Sequence, residues 1–266
     1  MDKYRRMNRE LWNELTPIHT RSEFYDVEGF KAGKSTLRAI ELEELGDVSG
    51  KSLLHLQCHF GLDTLSWARL GARVTGVDFS DRAMAMARSL SNELGIKADF
   101  VHSDIYELPK TLSGEFDIVF TSYGVLCWLP ELQQWGEVIA HFLKPGGTFY
   151  MVEEHPLLNV FVGSVGAKEL KVFCSYFHTP EPMKHEPGGS YADSSAKVSH
   201  PSHEWTHSLS DVVNALISAG LRIEFIHEFP VCAWQRYPFM EQDEAGWWRL
   251  KGDNIPLSFS LKATRV

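Results

Sequence analysis

Cysteine is scarce in this 266-residue chain, and its four residues, Cys58, Cys127, Cys174 and Cys232, lie far apart with no CxxC pair. A disulfide framework is therefore not expected. The polar N-terminal segment MDKYRRMNRE also has no secretory leader, so the thiols are expected reduced in a cytoplasmic protein. Basic residues are outnumbered, 26 against 35 acidic, for a formal net charge of −9. With no Lys/Arg run interleaved with aromatics, the chain has no broad attraction for phosphate backbones, and nucleic acid is not an expected partner. No apolar run reaches the roughly 18 residues of a membrane span, so no membrane partner is expected either. There is no internal repeat and no low-complexity tract. What is present is 44% hydrophobic and 23% charged residues, enough to bury a full core in one large domain with decorations.

Residues 3 to 15 read as a short helix with Met7, Leu11 and Leu15 on one face, ended by Thr16-Pro17. The aromatic-rich stretch HTRSEFYDVEGFKAGKST reads as a loop, followed by a helix from about Thr36 to Leu45. From Lys51 short apolar strands alternate with amphipathic helices. The strands are Ser52–Leu56, Arg73–Asp78, Ala98–His102, Phe116–Ser122 and Thr148–Glu153; the helices are Leu62–Leu70, Asp81–Leu94 and Glu131–Leu143. Such alternation requires crossovers and so a parallel sheet covered by helices on both faces. After an irregular stretch come a helix at Ser210–Ala219 and strands at Arg222–Phe229 and Leu257–Thr264. Residues 230 to 256 show no crossover helix, so the last strand should run antiparallel. The expected fold is a Rossmann-like, doubly wound, three-layer α/β/α architecture. Its seven-stranded sheet is mostly parallel with an antiparallel last strand. Residues 1–44 form a helical cover, and residues 45–266 form the main domain with an insertion at about 157–207.

In such a sheet a ligand lies beyond the carboxyl ends of the strands, where strand order reverses. The first strand end leads into QCHFG, and the second ends on Asp78, 22 residues after Leu56, near the spacing at which an acid takes ribose hydroxyls. Two such bonds supply roughly 1.5–3 kcal/mol each. The alternative role for Asp78 is to cap the next helix, but Ser80 is the better cap. A dinucleotide needs GxGxxG so that its pyrophosphate can approach the backbone, yet only Gly61 is present, and His59 and Phe60 would crowd it. A nucleoside bearing an amino acid has no phosphates to place, which points to S-adenosyl-L-methionine.

These residues resemble class I S-adenosylmethionine-dependent methyltransferases. LLHLQCHFG stands where the family has VLDLGCGTG, and VTGVDFS matches the ribose motif. FVHSDIYELP, FDIVFTSYGVLCWL and LKPGGTFYMVE match the following segments in order, so that the likeness covers about residues 45 to 265. The resemblance implies a cofactor site of Gln57, His59, Phe60, Gly61, Asp78, Phe79, Ser80, Asp104, Ile105, Ser122 and Tyr123, with Asp104 and Ile105 at the adenine. His55 replaces the acid that usually supports the loop, and Gln57 and His59 replace glycines. The implied function is methyl transfer to a small-molecule acceptor. A noncatalytic sensor of the same ligand, or a nicotinamide-dependent oxidoreductase, are the alternatives.

Two further patterns resemble known motifs. HEWTH, His203 to His207, has the letters of a zinc-protease motif, which needs both histidines on one helical face. The helix is expected to start after it, with Ser208 as N-cap and Asp211 in a capping box, and in extended chain the two histidines lie about 13 Å apart. No metal site is expected there. GFKAGKST has three residues between Gly29 and Gly33 where a P-loop has four, and reads as a mobile entry loop. Acceptor contacts are expected from Trp12, His19, Tyr25, Tyr123, Trp128, His155, Tyr191, Trp205 and His207, an aromatic lining suited to a small, partly apolar molecule. Methyl transfer from a sulfonium depends chiefly on positioning. If a base is used, His155 at the end of the fifth strand is the first candidate and His207 the second.

Overall fold

In a computed structural model describing residues 1–161 and 168–266, the chain runs α1 (Lys3–His19), α2 (Val27–Lys31), α3 (Ala39–Leu45), β1 (Ser52–Leu56), α4 (Leu62–Arg69), β2 (Arg73–Asp78), α5 (Asp81–Leu94), β3 (Asp99–His102), α6 (Leu108–Thr111), β4 (Phe116–Ser122), α7 (Leu132–Phe142), β5 (Leu143–Glu154), α8 (Leu209–Ser218), β6 (Leu221–Phe229) and β7 (Ser258–Arg265). The strand order is β3-β2-β1-β4-β5-β7-β6. Strands β1 to β5 are parallel, and β7 slots between β5 and β6 antiparallel to both. This is the expected sheet, and strand order reverses between β1 and β4, which places the ligand-binding crevice above their carboxyl ends.

Strand periodicity fills both layers. Leu54 and Leu56 pack with Trp135, Ile139 and Phe142 of α7, while Leu53 packs with Trp67 of α4 and Leu45 of α3. All of these are fully or nearly fully buried, each contributing about 1.5–3 kcal/mol relative to exposure.

Several boundaries differ from the sequence reading for local reasons. α1 continues through Pro17 to His19, because a proline in the last turn forfeits one hydrogen bond, and the Asn13 carbonyl it leaves free lies 3.4 Å from Arg82 Nη1. The aromatic stretch expected to be a loop contains α2, capped by Asp26, whose carboxylate accepts from Gly29 N while Val27 and Phe30 are buried. The GFKAGKST segment is thereby tied down rather than free: Lys34 pairs with Asp26 at 2.9 Å and Thr36 Oγ1 donates to Asp63 at 2.6 Å. α3 starts at Ala39 instead of Thr36, where Glu41 Oε1 accepts from Arg38 N. β5 begins at Leu143, which pairs with Phe116 ahead of a register shift.

Of the insertion expected at about 157–207, residues 162–167 lie outside the described residues. The remainder includes a short antiparallel ribbon of Met183–His185 with Ser202–Glu204. α1 is fastened to that ribbon by Asn8, whose amide donates to His203 O at 2.7 Å and accepts from His203 N at 2.9 Å, all buried.

Candidate active site

Above the carboxyl ends of β1, β2, β4 and β5 lies a cavity of about 1190 Å³. That exceeds the roughly 300–1,000 Å³ of ordinary single-ligand pockets, so it has room for two small molecules side by side. On the β1–β2 side its floor is the 57–61 loop. Gln57 and His59 take positive φ, 55° and 50°, as the glycines of a glycine-rich loop would. A non-glycine residue held there stores about 1–2 kcal/mol of strain. Two bonds offset it: Gln57 Nε2 donates to Val125 O at 3.0 Å, and His59 N donates to Asp78 Oδ2 at 2.9 Å. Gly61 closes the loop at φ 82°, where a Cβ would lie 2.7 Å from the Phe100 ring. The loop thus keeps a glycine-type path although its side chains are larger.

Asp78 is buried and its Oδ1 accepts from Ser80 N at 2.9 Å. Each carboxylate oxygen holds one backbone N–H and keeps acceptor capacity for a hydroxyl. Burial raises its pKa to about 6, against the lowering by those two N–H bonds. His55, in place of the usual acid, is buried between Thr64 Oγ1 at 2.8 Å and Ser122 Oγ at 3.4 Å; burial lowers its pKa to about 4, so it supports the loop as a neutral ring. Ser122 also donates to Asp63 at 3.1 Å. Asp104 Oδ1 accepts from Tyr106 N and pairs with Arg5 of α1 at 2.8 Å, while Arg5 stacks over the Tyr106 ring. Burial raises the Asp104 pKa as well.

The N-terminal segment roofs the loop. His19 Nδ1 lies 2.9 Å from His59 Nε2 and His19 Nε2 lies 2.7 Å from Ser190 Oγ. Tyr25 stacks on His19 and bonds to the Tyr191 hydroxyl, and Trp12 packs edge-on against both His59 and Trp128. Burial lowers the His19 pKa to about 4.

The β4–β5 side is organised by Glu153, which the sequence reading did not single out. Buried at the end of β5, it accepts from the backbone N–H groups of Gly124, Val125 and Leu126, the last two at 2.7 and 3.2 Å, and from Glu154 N at 2.7 Å. Burial raises its pKa to about 7 despite these donors. Tyr123 donates to Glu41 at 3.0 Å, and burial brings Glu41 to about 7 also. Gly124 has φ 77°, and a Cβ there would meet Trp234 at 3.2 Å, so the missing side chain lets that tryptophan reach the cavity. Glu154, Arg236, Trp234, Trp247 and Trp248 also line this side, four of them from the 230–256 stretch that shows no periodicity.

Most of the expected site residues meet at this cavity: Gln57, His59, Phe60, Gly61, Asp78, Phe79, Asp104, Ile105, Ser122 and Tyr123 of the expected cofactor set, and Trp12, Tyr25, Trp128, Tyr191, Trp205 and His207 of the expected acceptor set. Three do not line it. Ser80 is fully buried, with its hydroxyl accepting from Ala83 N and donating to Asn13, so it caps α5 and is out of reach of a ligand. His19 stands behind His59. His155 faces away: its Nδ1 accepts from Leu157 N, its Nε2 sits 2.9 Å from Glu228 Oε1 without hydrogen-bond alignment, and its ring packs on Phe259. His155 lies just past the end of β5, where its ring caps the turn that follows by accepting from Leu157 N and is thereby taken away from the cavity. The runner-up base, His207, reaches the wall but is committed, with Nε2 2.6 Å from Leu129 O, its ring stacked on His178, and burial lowering its pKa to about 4. His203 lies in the short ribbon, and α8 begins only at Leu209 under a Ser208–Asp211 capping box, so the two histidines of HEWTH share no helix.

Residues 54–151 match the family model described as a methyltransferase domain. Over 114 residues the chain is 33% identical to the ubiquinone biosynthesis O-methyltransferase of Aromatoleum aromaticum, covering 43% of this chain and 48% of that one. Over 133 residues it is 30% identical to the enzyme of that name from an Escherichia coli strain, covering 48% and 55%. The match thus spans about half the length of these curated relatives. Among solved structures, an S-adenosylmethionine-dependent methyltransferase from Mesorhizobium loti superposes with a TM-score of 0.60 at 21% identity, covering 85% of this chain and 98% of that one. Residues 54–151 therefore form a methyltransferase domain, on a chain with the fold of the class I S-adenosylmethionine-dependent methyltransferases.

Proposed function

We propose that the protein transfers the methyl group of S-adenosyl-L-methionine to a small-molecule acceptor. The observation that carries this reading is the pairing of Asp78 with a loop that keeps its glycine-type path at Gln57 and His59. Together they present a carboxylate with free acceptor capacity beside a closed loop. The cofactor fits the residues present. Asp78 would take the ribose hydroxyls, and Phe79, Asp104 and Ile105 line the wall where an adenine would lie. Gln57 Oε1 is buried without a partner and offers an acceptor to the ammonium of the methionine end. When bound, the cofactor supplies an electrophilic methyl on a sulfonium, and acidic side chains outnumber basic ones around the cavity, which favours a cationic ligand. A dinucleotide fits poorly, because the His59 ring is packed against His19, Trp12, Tyr25 and Phe60 where a pyrophosphate would need bare backbone.

The chain's own residues then position and exclude water. Residues 1–44 act as a cover, with Arg5, Trp12, Tyr25 and Lys34 among the lining. The enclosed, aromatic second half suits a small acceptor rather than a nucleic acid. No helix among the described residues is long and apolar enough to cross a membrane, and the four cysteines are unpaired, which supports our placing the protein in the cytoplasm. The test is incubation with S-adenosylmethionine carrying a labelled methyl and a low-molecular-weight metabolite fraction. Label moving into a small molecule, with stoichiometric formation of S-adenosylhomocysteine, is expected; binding of the cofactor with no transfer would make the protein a sensor instead.

A further inference from the structure

Beyond the cofactor half, the cavity ends in a polar corner that the site described so far leaves unused. Arg236 donates from Nη2 to Asn159 Oδ1 at 3.1 Å, its charge acts on the neighbouring Tyr237 hydroxyl, and that hydroxyl's own proton goes to Leu158 O. A guanidinium has five N–H donors, and among the described residues Arg236 makes no ion pair. Glu154 faces the same corner from the end of β5. It accepts a weak bond from Cys232 Sγ at 3.5 Å, and Arg236 is its principal opposite charge, yet the two stand beyond ion-pair distance. Glu204 stands at the rim, accepting from Ser202 Oγ at 2.7 Å. Cys127 lies among these groups with its thiol raised well above the usual range by burial and by the carboxylates around it. Trp128, Trp205, Trp234 and Trp248 supply the apolar wall.

A guanidinium and a carboxylate facing one enclosed space without touching are each costly to desolvate. A ligand carrying a negative group at one end and a positive or N–H-bearing group close by would satisfy both. A simple anion would satisfy Arg236 but face Glu154, and a simple amine would do the reverse. We propose that the acceptor is a small zwitterionic molecule of the amino-acid class. Its carboxylate is held by Arg236 and Asn159, its amino group by Glu154, and its apolar side chain by the tryptophans. This rests on the methyltransferase reading of the same cavity, and it assigns Arg236 and Glu154 to the acceptor rather than to the methionine end of the cofactor, because both stand beyond β5 while the 57–61 loop and Asp78 stand over β1 and β2.

The experiment is calorimetric titration of the standard amino acids into the full chain saturated with S-adenosylhomocysteine. The tightest binder is then compared with its α-carboxamide and with the deaminated acid of the same side chain. The zwitterion should bind roughly tenfold or more tighter than either derivative, the effect of one lost charge-assisted bond. Arg236→Gln should abolish the preference over the carboxamide, and Glu154→Gln the preference over the deaminated acid. Both variants should bind S-adenosylhomocysteine within about twofold of wild type, which also reports that they fold. If no amino acid binds while S-adenosylhomocysteine does, or if the derivatives bind as well as the parent, the acceptor assignment is wrong and the methyltransferase reading stands. Loss of S-adenosylhomocysteine affinity in Arg236→Gln would move this corner to the cofactor and overturn the proposal as well. Failure of wild type to bind S-adenosylhomocysteine at all would instead remove the methyltransferase reading.

Discussion

The cofactor half of the cavity takes its polar groups from strand ends and the turns after them, Gln57 and His59 after β1, Asp78 on β2, Asp104 after β3 and Ser122 on β4. The other half, assigned above to the acceptor, is assembled from the end of β5, the insertion and the 230–256 stretch, which bring Glu154, Tyr191, Trp205 and Arg236 to the same cavity. In the first half the groups sit at strand ends and some are tied by short local bonds such as Asp78 to Ser80 and Asp104 to Tyr106, although Gln57 reaches Val125 and Asp104 also pairs with Arg5. The second is held by bonds spanning most of the chain, such as Asn8 to His203 and His19 to Ser190. A site built this way can keep one ligand constant while its other wall varies.

Breaking the first half should cost most. Asp78→Ala removes both expected ribose contacts, about 3–6 kcal/mol on the charge-assisted scale, so S-adenosylhomocysteine affinity measured by calorimetry should fall by roughly 10²–10⁴-fold. An affinity within threefold of wild type would separate Asp78 from the ligand. Next comes the seam between the halves: Glu153→Ala strands the N–H groups of Gly124, Val125 and Leu126, each costing about 1–3 kcal/mol when unsatisfied, so thermal unfolding should report a loss of about 3 kcal/mol or more. Glu153→Gln, which keeps an acceptor oxygen, should lose less. In the second half, Asn8→Ala frees two buried backbone groups of His203 and should cost about 2 kcal/mol in chemical denaturation while cofactor affinity changes little. A large loss of cofactor affinity would show the halves to be one unit.

The pH dependence sharpens the same contrast. Asp78 has its pKa raised to about 6 by burial, and hydroxyl donors require its ionised form. Cofactor binding should therefore release a proton, and affinity should fall by up to about tenfold, or 1.4 kcal/mol, per unit as pH drops below 6. Calorimetry in two buffers of different ionisation enthalpy reads this directly, and equal heats at pH 5.5 would refute it. For stability the same raised pKa acts in reverse: the buried carboxyl is protonated below about 4 in both states, and stability is lost as pH rises through the folded value near 6. The smallest effect is expected at His155→Ala, whose ring meets Glu228 and not the cavity; turnover should stay within a few-fold of wild type, and a loss of 10² or more would return His155 to the mechanism.

The legible part of the site was the part encoded by chain-local pattern. Asp78, Asp104 and the 57–61 loop occur at strand ends whose positions periodicity sets, so the order of elements places them without knowledge of tertiary contacts. Ser80 stands outside the cavity because its hydroxyl serves as the N-cap of α5. His155 stands outside the cavity because the turn after β5 takes its ring as the cap for Leu157 N, a bond that the order of elements does not specify. Glu153 and Glu154 carried a signal in VEEHP, two acids at the end of a buried strand, where burying a carboxylate demands a reason. Arg236 carried none: it sits in a stretch with neither helical nor strand period, and only the folded chain brings it opposite Glu154.

The glycine-poor loop is expected to hold S-adenosylmethionine still. Titrating the wild-type chain with S-adenosylhomocysteine, and separately with NADH, tests it most directly. Saturable binding of S-adenosylhomocysteine at one per chain, undisturbed by an excess of NADH, is expected. Saturable binding of NADH with none of S-adenosylhomocysteine would contradict it.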